Sequence, residues 1–326
     1  MEMMLQRIMR QNVRLCSNFT RGMKENKIKD PNTTFNIRPM RLEDIPQVVE
    51  LVRPHHFHFP ASTLKFWHLQ DREGMRIAVT ESGQIIGSLF TVKNTENLYT
   101  GGTFCIKENY RHLDIGRKLI QETLPHYQGK NLVGNVVANH IESFKRRGFG
   151  VLESEWKSLE YETDTPVNPS ILSDELPSGV EILPFRNSLL PAVFEYDYSL
   201  IGFERRSVIE ASCKEENSKT LVALKDGKCV GLGSIKLNIN EQGRIGPLYA
   251  DYPSVAEALV KWLITAMPEA KGFAIVTINT NMFANMILDK LSIPVYKSFY
   301  RLYTKERLHV DTEKVFAHLD VDFNSF

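Results

Sequence analysis

Residues 103–124 read TFCIKENYRHLDIGRKLIQETL. An apolar strand ends at Ile106, a polar turn follows, and a helix begins at or near Gly116 and stops before Pro125. The loop between them, Arg111-His112-Leu113-Asp114-Ile115-Gly116, lines up backbone N–H groups at a helix N-terminus. Such a nest, with the helix dipole behind it, suits a pyrophosphate. Gly116 would let a ligand come close to the backbone, and Arg111 and Arg117 add flanking positive charge.

Working outward, the chain repeats itself. FNIRPMRLEDIPQVV (35–49) aligns with VEILPFRNSLLPAVF (180–194) at an offset of 145, pairing Ile37 with Ile182, Pro39 with Pro184 and Arg41 with Arg186. RIAVTESGQIIGS (76–88) aligns with TLVALKDGKCVGL (220–232) at 144, setting Gly83 on Gly227 in two hairpin-like turns. GNVVANH (134–140) aligns with the stretch ending at Asn281, which falls on Asn139. Three collinear matches describe a duplicated α/β domain with halves at 35–160 and 180–305, a Pro-, Ser- and Asp-rich linker at 161–179, and a tail at 306–326. Each half reads β-α-α-β-β-β-α-β-α-β, a mixed, mostly antiparallel sheet flanked by helices. In the first half the strands include Phe35–Arg38, Tyr99–Ile106 and Asn131–Ala138, with helices near Ser62–Leu69 and from Gly116.

The order strand, Arg-x-x-x-x-Gly, helix resembles the acetyl-CoA loop of the GNAT superfamily of N-acetyltransferases. The run ANHIESFKRRGFGV (138–151) resembles that family's next strand and helix, and FNIRPMRLEDIP its usual opening. The second half, through IGFERRSVI (201–209), GRIGPLYADYPSVAEALV (243–260) and VYKSFYRLYTK (295–305), resembles the C-terminal module of two-domain GNAT proteins. The resemblance runs over 35–305 and implies tandem GNAT-like domains, the second degenerate. It also implies acetyl-CoA as co-substrate, bound through Phe104, Cys105, Ile106, Arg111, His112, Leu113, Asp114, Ile115, Gly116 and Arg117, with Asn139 on the cofactor arm.

Two departures stand out. Asp114 takes the place of the loop's first glycine, and Phe144 stands where the family often has a tyrosine that protonates the leaving thiolate. A thiol pKa near ~8.5 makes that thiolate a tolerable leaving group without help. In the second half the sequence PLYADYPSVA has neither Gly nor Arg, and Pro253 removes an N–H from the nest, so that half is expected to keep the fold and lose the cofactor.

An amine acceptor, with a pKa near ~10, must lose a proton before it attacks a thioester. His56 and His58, in the run PHHFHFP (54–60) between the first two helices, are the candidate bases, with Glu108 as a further catalytic acid or base. An aromatic loop at the edge of the core is the plain alternative for the histidines, and a solvated turn for Glu108. A metal on His-x-His is discounted because no Cys or acid lies nearby in sequence. Cys105 reads as an inert buried thiol. Arg205 and Arg206 could face a cleft and meet an acceptor carboxylate, or could simply be solvated.

The composition narrows the field. The chain has 326 residues, 42% hydrophobic and 24% charged, with 40 Lys and Arg against 39 Asp and Glu. That is a foldable chain without the basic excess of a nucleic-acid binder. No apolar run is long enough to span a bilayer, and Cys16, Cys105, Cys213 and Cys229 form no Cys-x-x-Cys pair. The segment 1–34 is basic, with Arg7, Arg10 and Arg14 on one helical arc opposite Leu5, Ile8 and Val13. It reads either as a cleaved mitochondrial presequence or as an unaddressed leader on a cytoplasmic protein. The expectation is an N-acetyltransferase acting on a small primary amine by direct attack in a ternary complex, without nucleic acid or membrane partners. The rivals are a catalytically silent acyl-CoA-binding scaffold and a transferase of longer acyl groups.

Overall fold

The computed structural model describes residues 33–326; the basic leader lies almost wholly outside them. The first half opens with strand β1 (Phe35–Pro39) and two helices, α1 (Ile45–Val52) and α2 (Ala61–Asp71). Then come β2 (Met75–Thr80), β3 (Ile85–Lys93) and β4 (Leu98–Ile106), helix α3 (Ile115–Tyr127), β5 (Asn131–Val136), a short helix α4 (Ile141–Lys145), β6 (Val151–Leu152) and β7 (Ser158–Thr163). The second half repeats the order as β8 (Val180–Pro184), α5 (Leu190–Ile201), α6 (Arg206–Cys213), β9 (Ser218–Lys225), β10 (Lys228–Leu237), β11 (Gln242–Ala250), α7 (Pro253–Thr265), β12 (Gly272–Ile278), α8 (Met282–Lys290) and β13 (Val295–Tyr303). A last strand, β14 (Val315–Ala317), follows.

The repeat seen in sequence is a repeat in space. Gly83 and Gly227 both take positive φ, 83° and 76°, in matching hairpins. Helix α3 runs two residues past Pro125 instead of stopping before it.

The last strand of each half completes the other half, not its own. The sheet order is β1-β2-β3-β4-β5-β13-β7-β12-β11-β10-β9-β8. Strand β13 lies antiparallel to β5 through Tyr300–Val136 to Tyr303–Val133, and β7 lies antiparallel to β12 through Ser158–Ile278 to Thr163–Phe273. The expected linker therefore starts late, because Tyr161, Glu162 and Thr163 are paired within β7. Among the described residues only β4–β5 and β11–β12 are parallel pairs.

Helix α3 packs on one face of the first half against Ala78, Ile86 and Leu89, and α7 covers the same face of the second against Ile245 and Leu248. On the other face α1, α2, α5 and α6 share one core, with Val48, Leu64 and Trp67 on one side and Val193, Tyr196 and Val208 on the other. The expected tail is not loose. Phe323 and Phe326 are fully buried in this shared core, where Phe323 stacks on Trp67 at 6.1 Å and meets Phe59 edge-on at 5.2 Å. Its few apolar residues carry no period, and only the space between two halves gives them somewhere to be buried.

Candidate functional site

Strands β4 and β5 stay paired for four residues, from Leu98–Asn131 to Gly101–Gly134, and then diverge. Where they part, β4 carries a bulge: Thr103 and Phe104 together face Leu89, and Thr103 takes φ +52°. The hydroxyl of Ser88 donates to the Thr103 carbonyl at 2.8 Å and pins the bulge. Beyond Ile106 a 3-10 turn over Glu108–Leu113 leads to Asp114 in the left-handed region and then into α3. No side chain caps that helix, so its first N–H groups face outward. The result is an open slot between two diverging strands with a helix N-terminus at its end.

The slot brings together most of the residues singled out in the sequence. Phe104, Arg111, His112, Asp114 and Arg117 are exposed around it, Leu113 and Gly116 are partly covered, and Ile115 is buried in the core below. The Asp114 carboxylate, awkward beside a pyrophosphate, turns aside to accept from Arg117 Nε at 2.5 Å, and Arg111 Nε donates to the Ile106 carbonyl at 3.4 Å. Gly116 is small for a reason internal to the protein: a Cβ there would lie 3.0 Å from the Phe104 ring. Cys105 points away from the slot, its sulfur 3.6 Å from the Leu51 carbonyl, and burial pushes its thiol up to about 12, an inert group. Asn139 is exposed in a turn just past β5. Phe144 packs on Phe149 at 5.3 Å, as a core residue does. Arg205 is no surface cation. It is buried, makes two hydrogen bonds to Asp197 at 2.8 and 3.0 Å, and donates to Tyr249 and to the Phe326 carbonyl.

Beside the slot the loop after α1 meets β7 and β13. His56 is partly exposed and lies 3.0 Å from Glu162, with its ring 5.2 Å from Tyr296. His58 is buried, with Nε2 2.5 Å from Glu160 and 3.5 Å from Glu162. Asn238 accepts from two backbone N–H groups through its oxygen, so its Nδ2 faces His58 Nδ1 at 3.1 Å. That donor leaves Nδ1 as acceptor and puts the imidazole proton on Nε2, facing Glu160. His58 thus spends both nitrogens inside the protein, whereas His56 stays at the rim. The ground for discounting a metal does not survive, because Glu160 and Glu162 arrive from β7, a hundred residues downstream. Ligand atoms of His58, Glu160 and Glu162 lie within 4.8 Å of one another. Each group nonetheless has a protein partner: Lys297 Nζ is 3.0 Å from Glu160, and Gln242 donates to Glu162 at 2.8 Å. Burial pushes the Glu162 carboxyl up, but hydrogen bonds with His58, Gln242 and His56 outweigh it and bring it down to about 2.

Two acids that the sequence reading missed, Glu160 and Glu162, sit on alternate residues of SLEYET, and that alternation was their one visible signal. A third is Asp322, from the tail. Its backbone lies so close to Gly102 that a Cβ on Gly102 would come within 2.2 Å of the Asp322 carbonyl oxygen. Its carboxylate lies near the Thr103 N–H at the bulge, which favours the ionised form. Burial first, then the neighbouring Asp320 carboxylate, raises it to about 7.

The second half has the same slot, and it is filled. Strands β11 and β12 pair from Gln242–Gly272 to Ile245–Ile275 and then diverge. Into the gap runs β14, which pairs with β11 through Leu248–Ala317 and Tyr249–Val315, while the His318 N–H donates to the Val276 carbonyl of β12. Asn281, the counterpart of Asn139, grips the inserted segment by donating Nδ2 to the carbonyls of Glu313 at 2.9 Å and Val315 at 3.1 Å. Its Oδ1 caps α8 through the Ala284 N–H. At the apex a Cβ on Gly246 would meet the His318 carbonyl at 2.3 Å, the mirror of Gly102 against Asp322.

Comparison with known proteins agrees with this geometry. Residues 193–317 match the family model of the acetyltransferase (GNAT) domain. Among solved structures, a protein of Pyrococcus horikoshii proposed to be an acetyltransferase superposes with a TM-score of 0.68 at 18% identity, over 89% of this chain and 96% of its own. A GCN5-related N-acetyltransferase of Sphaerobacter thermophilus gives 0.58 at 15% identity, over 86% and 98%. A tandem GNAT protein of the clavulanic acid pathway gives 0.57 at 11%, over 83% and 98%. No curated protein sequence matches the chain significantly. The fold is of the tandem GNAT kind. Most of the chain thus shares its fold with these acetyltransferases, and its second half matches the GNAT domain model. Among the described residues no helix is long and apolar enough to cross a membrane.

Proposed function

We propose that the chain is an acetyl-CoA-dependent N-acetyltransferase that works in its N-terminal half and acetylates a small primary amine by direct attack within a ternary complex. The observation that carries this reading is the filled slot of the second half. There a peptide strand pairs its amides with β11 and is held by Asn281. The pantetheine arm of coenzyme A is also an extended chain with amide groups. The open slot offers it β4 from Phe104 to Ile106, with Asn139 at the position that Asn281 occupies. The pyrophosphate would then meet the loop of His112–Arg117 and the uncapped start of α3.

The amine would enter beside His56, where Glu160 and Glu162 give the wall a negative character that favours an ammonium. His58 holds Glu160 and Glu162 in place from beneath, a supporting role instead of the direct base its spacing suggested. Glu108 stands at the start of the turn after β4.

The test is calorimetric titration with acetyl-CoA, followed by free-thiol release with polyamines, arylalkylamines, amino acids and amino sugars as acceptors. Saturable turnover with one class is expected, together with at least a tenfold loss of affinity in Gly116→Glu, whose carboxylate would face the pyrophosphate at the helix start. Unchanged affinity in that variant removes the assigned cradle. Tight binding without turnover on any amine favours the silent scaffold, and a preference for longer thioesters changes the donor.

A further inference from the structure

We propose that Asp322 is the catalytic base of the N-terminal slot, the group that takes protons from the acceptor amine. The inference rests on the acyl-transfer reading above and adds to it the residue that makes the nucleophile.

Place comes first. The slot opens where β4 leaves β5, and the Asp322 backbone sits against Gly102 at that point, with its carboxylate near the Thr103 N–H of the bulge. An acyl group carried at the end of an arm lying along Phe104–Ile106 ends beside this carboxylate.

Availability comes second. His58 has both ring nitrogens engaged, Glu160 is held by His58 and Lys297, and Glu162 by His56 and Gln242. Among the described residues no cation lies within ion-pair distance of Asp322. The charged groups that act on it are Asp320 on its own segment, Lys297 on β13, Glu160 on β7 and Arg244 on β11.

The duplicate slot supplies the third argument. The tail passes both apices, leaving His318 at the filled slot and Asp322 at the open one. Burial first, then Arg301 and Arg244, keep His318 neutral, and its Nε2 faces the Ser158 hydroxyl at 3.1 Å. Of the two, His318 is fully buried and Asp322 is partly exposed.

The step balances as follows. The ammonium gives one proton to the Asp322 carboxylate, which passes it to solvent. The neutral nitrogen attacks the thioester carbonyl, forming the C–N bond. Asp322 takes the second N–H proton as the C–S bond breaks, and hands it to the departing thiolate. The products are amide, free thiol and ionised Asp322. A base that titrates near neutrality is matched to this task.

The experiment uses the full chain and its Asp322→Asn variant, which is nearly isosteric and keeps the backbone contact with Gly102. Acetyl-CoA affinity is measured first, then kcat and kcat/KM against pH with an alkylamine and with an aromatic amine already neutral at pH 7. For the wild type, kcat/KM on the alkylamine should rise with pH through about 7 as Asp322 ionises. The variant should bind acetyl-CoA normally, lose that limb and fall by roughly 100-fold or more on the alkylamine, and lose much less on the aromatic amine. Normal binding with unaltered turnover and pH profile overturns the base assignment alone, as does an equal loss on both amines. A wild type that fails to bind acetyl-CoA overturns the function and the base with it. Should the variant unfold, infrared titration of the wild type decides: a carboxyl band titrating near neutrality and displaced by acetyl-CoA supports Asp322, and its absence overturns the proposal.

Discussion

The same slot occurs twice in this molecule, and the two copies have gone different ways. In each, two parallel strands pair for four residues and part at a glycine against which the tail is pressed. In the second half the gap holds the chain's own β14, gripped by Asn281. In the first half β4 ends in a bulge and an uncapped helix, and Asn139 faces solvent. On the proposed function, one copy of a duplicated ligand site has become structure: a peptide there satisfies the same backbone groups that a cofactor arm would use in the other.

Four experiments can break or sharpen this comparison. The largest effect belongs to the tail that serves both slots. Phe323→Ala empties a site between Phe59, Trp67 and Phe90, and should cost about 3–5 kcal/mol in urea unfolding. A loss under about 1 kcal/mol would mean that the tail is not part of the core.

Next comes Glu162, which joins the exchanged strand β7 to the loop beside the open slot. Its carboxyl is depressed in the folded protein, from an ordinary value near ~4.5 to about 2. Its stabilisation is therefore complete above pH ~4.5 and fades as the pH falls through about 2. Glu162→Gln should cost roughly 2–3 kcal/mol at pH 7 and much less near pH 2, so the gap between variant and wild type closes on acidification. A gap that stays constant with pH rules out the ionised carboxylate as its source.

The paired asparagines give a smaller and more pointed test. Asn281→Ala removes a helix cap and the grip on β14, and should cost about 1–2 kcal/mol of stability with acetyl-CoA affinity intact. Asn139→Ala should do the reverse, leaving the melt unchanged and weakening acetyl-CoA about tenfold. Equal behaviour of the two variants would dissolve the contrast between the slots.

The smallest effect is expected at Asp114, held at φ +58°. Asp114→Gly relieves a left-handed residue and removes a carboxylate from the cradle. Stability should rise by less than about 1 kcal/mol and acetyl-CoA should bind a few-fold more tightly. Weaker binding would show that the pair with Arg117 shapes the loop.

Much of the fold was legible because it is local. The repeat at offsets of 144 and 145, the hairpin glycines and the strand–loop–helix run over Thr103–Leu124 each depend on residues close in sequence, and the structure returns them within a few positions. The exchange of β7 and β13 was hidden, since Tyr161 or Leu302 would present the same pattern beside either neighbour. The tail was hidden for a related reason: VFAHLDVDFNSF has no sustained period, and its burial depends on two halves meeting around it. The site was legible in part. His56 and the phosphate-type loop could be named, whereas Glu160 and Glu162 meet the histidines from about a hundred residues downstream and Asp322 reaches Gly102 from 220 residues away, through contacts that spacing cannot encode.

The strand exchange also dictates when this protein can become itself during synthesis. When the ribosome has made residues 33–163, β5 still lacks the neighbour it will have in β13, and β7 has no β12 to lie against. The older half must wait, its edge open, while the younger half is translated. Its slot receives Gly102's neighbour only when Asp322 emerges. A nascent chain stalled anywhere before that point holds an unfinished sheet edge, the kind of surface that draws chaperones and promotes aggregation.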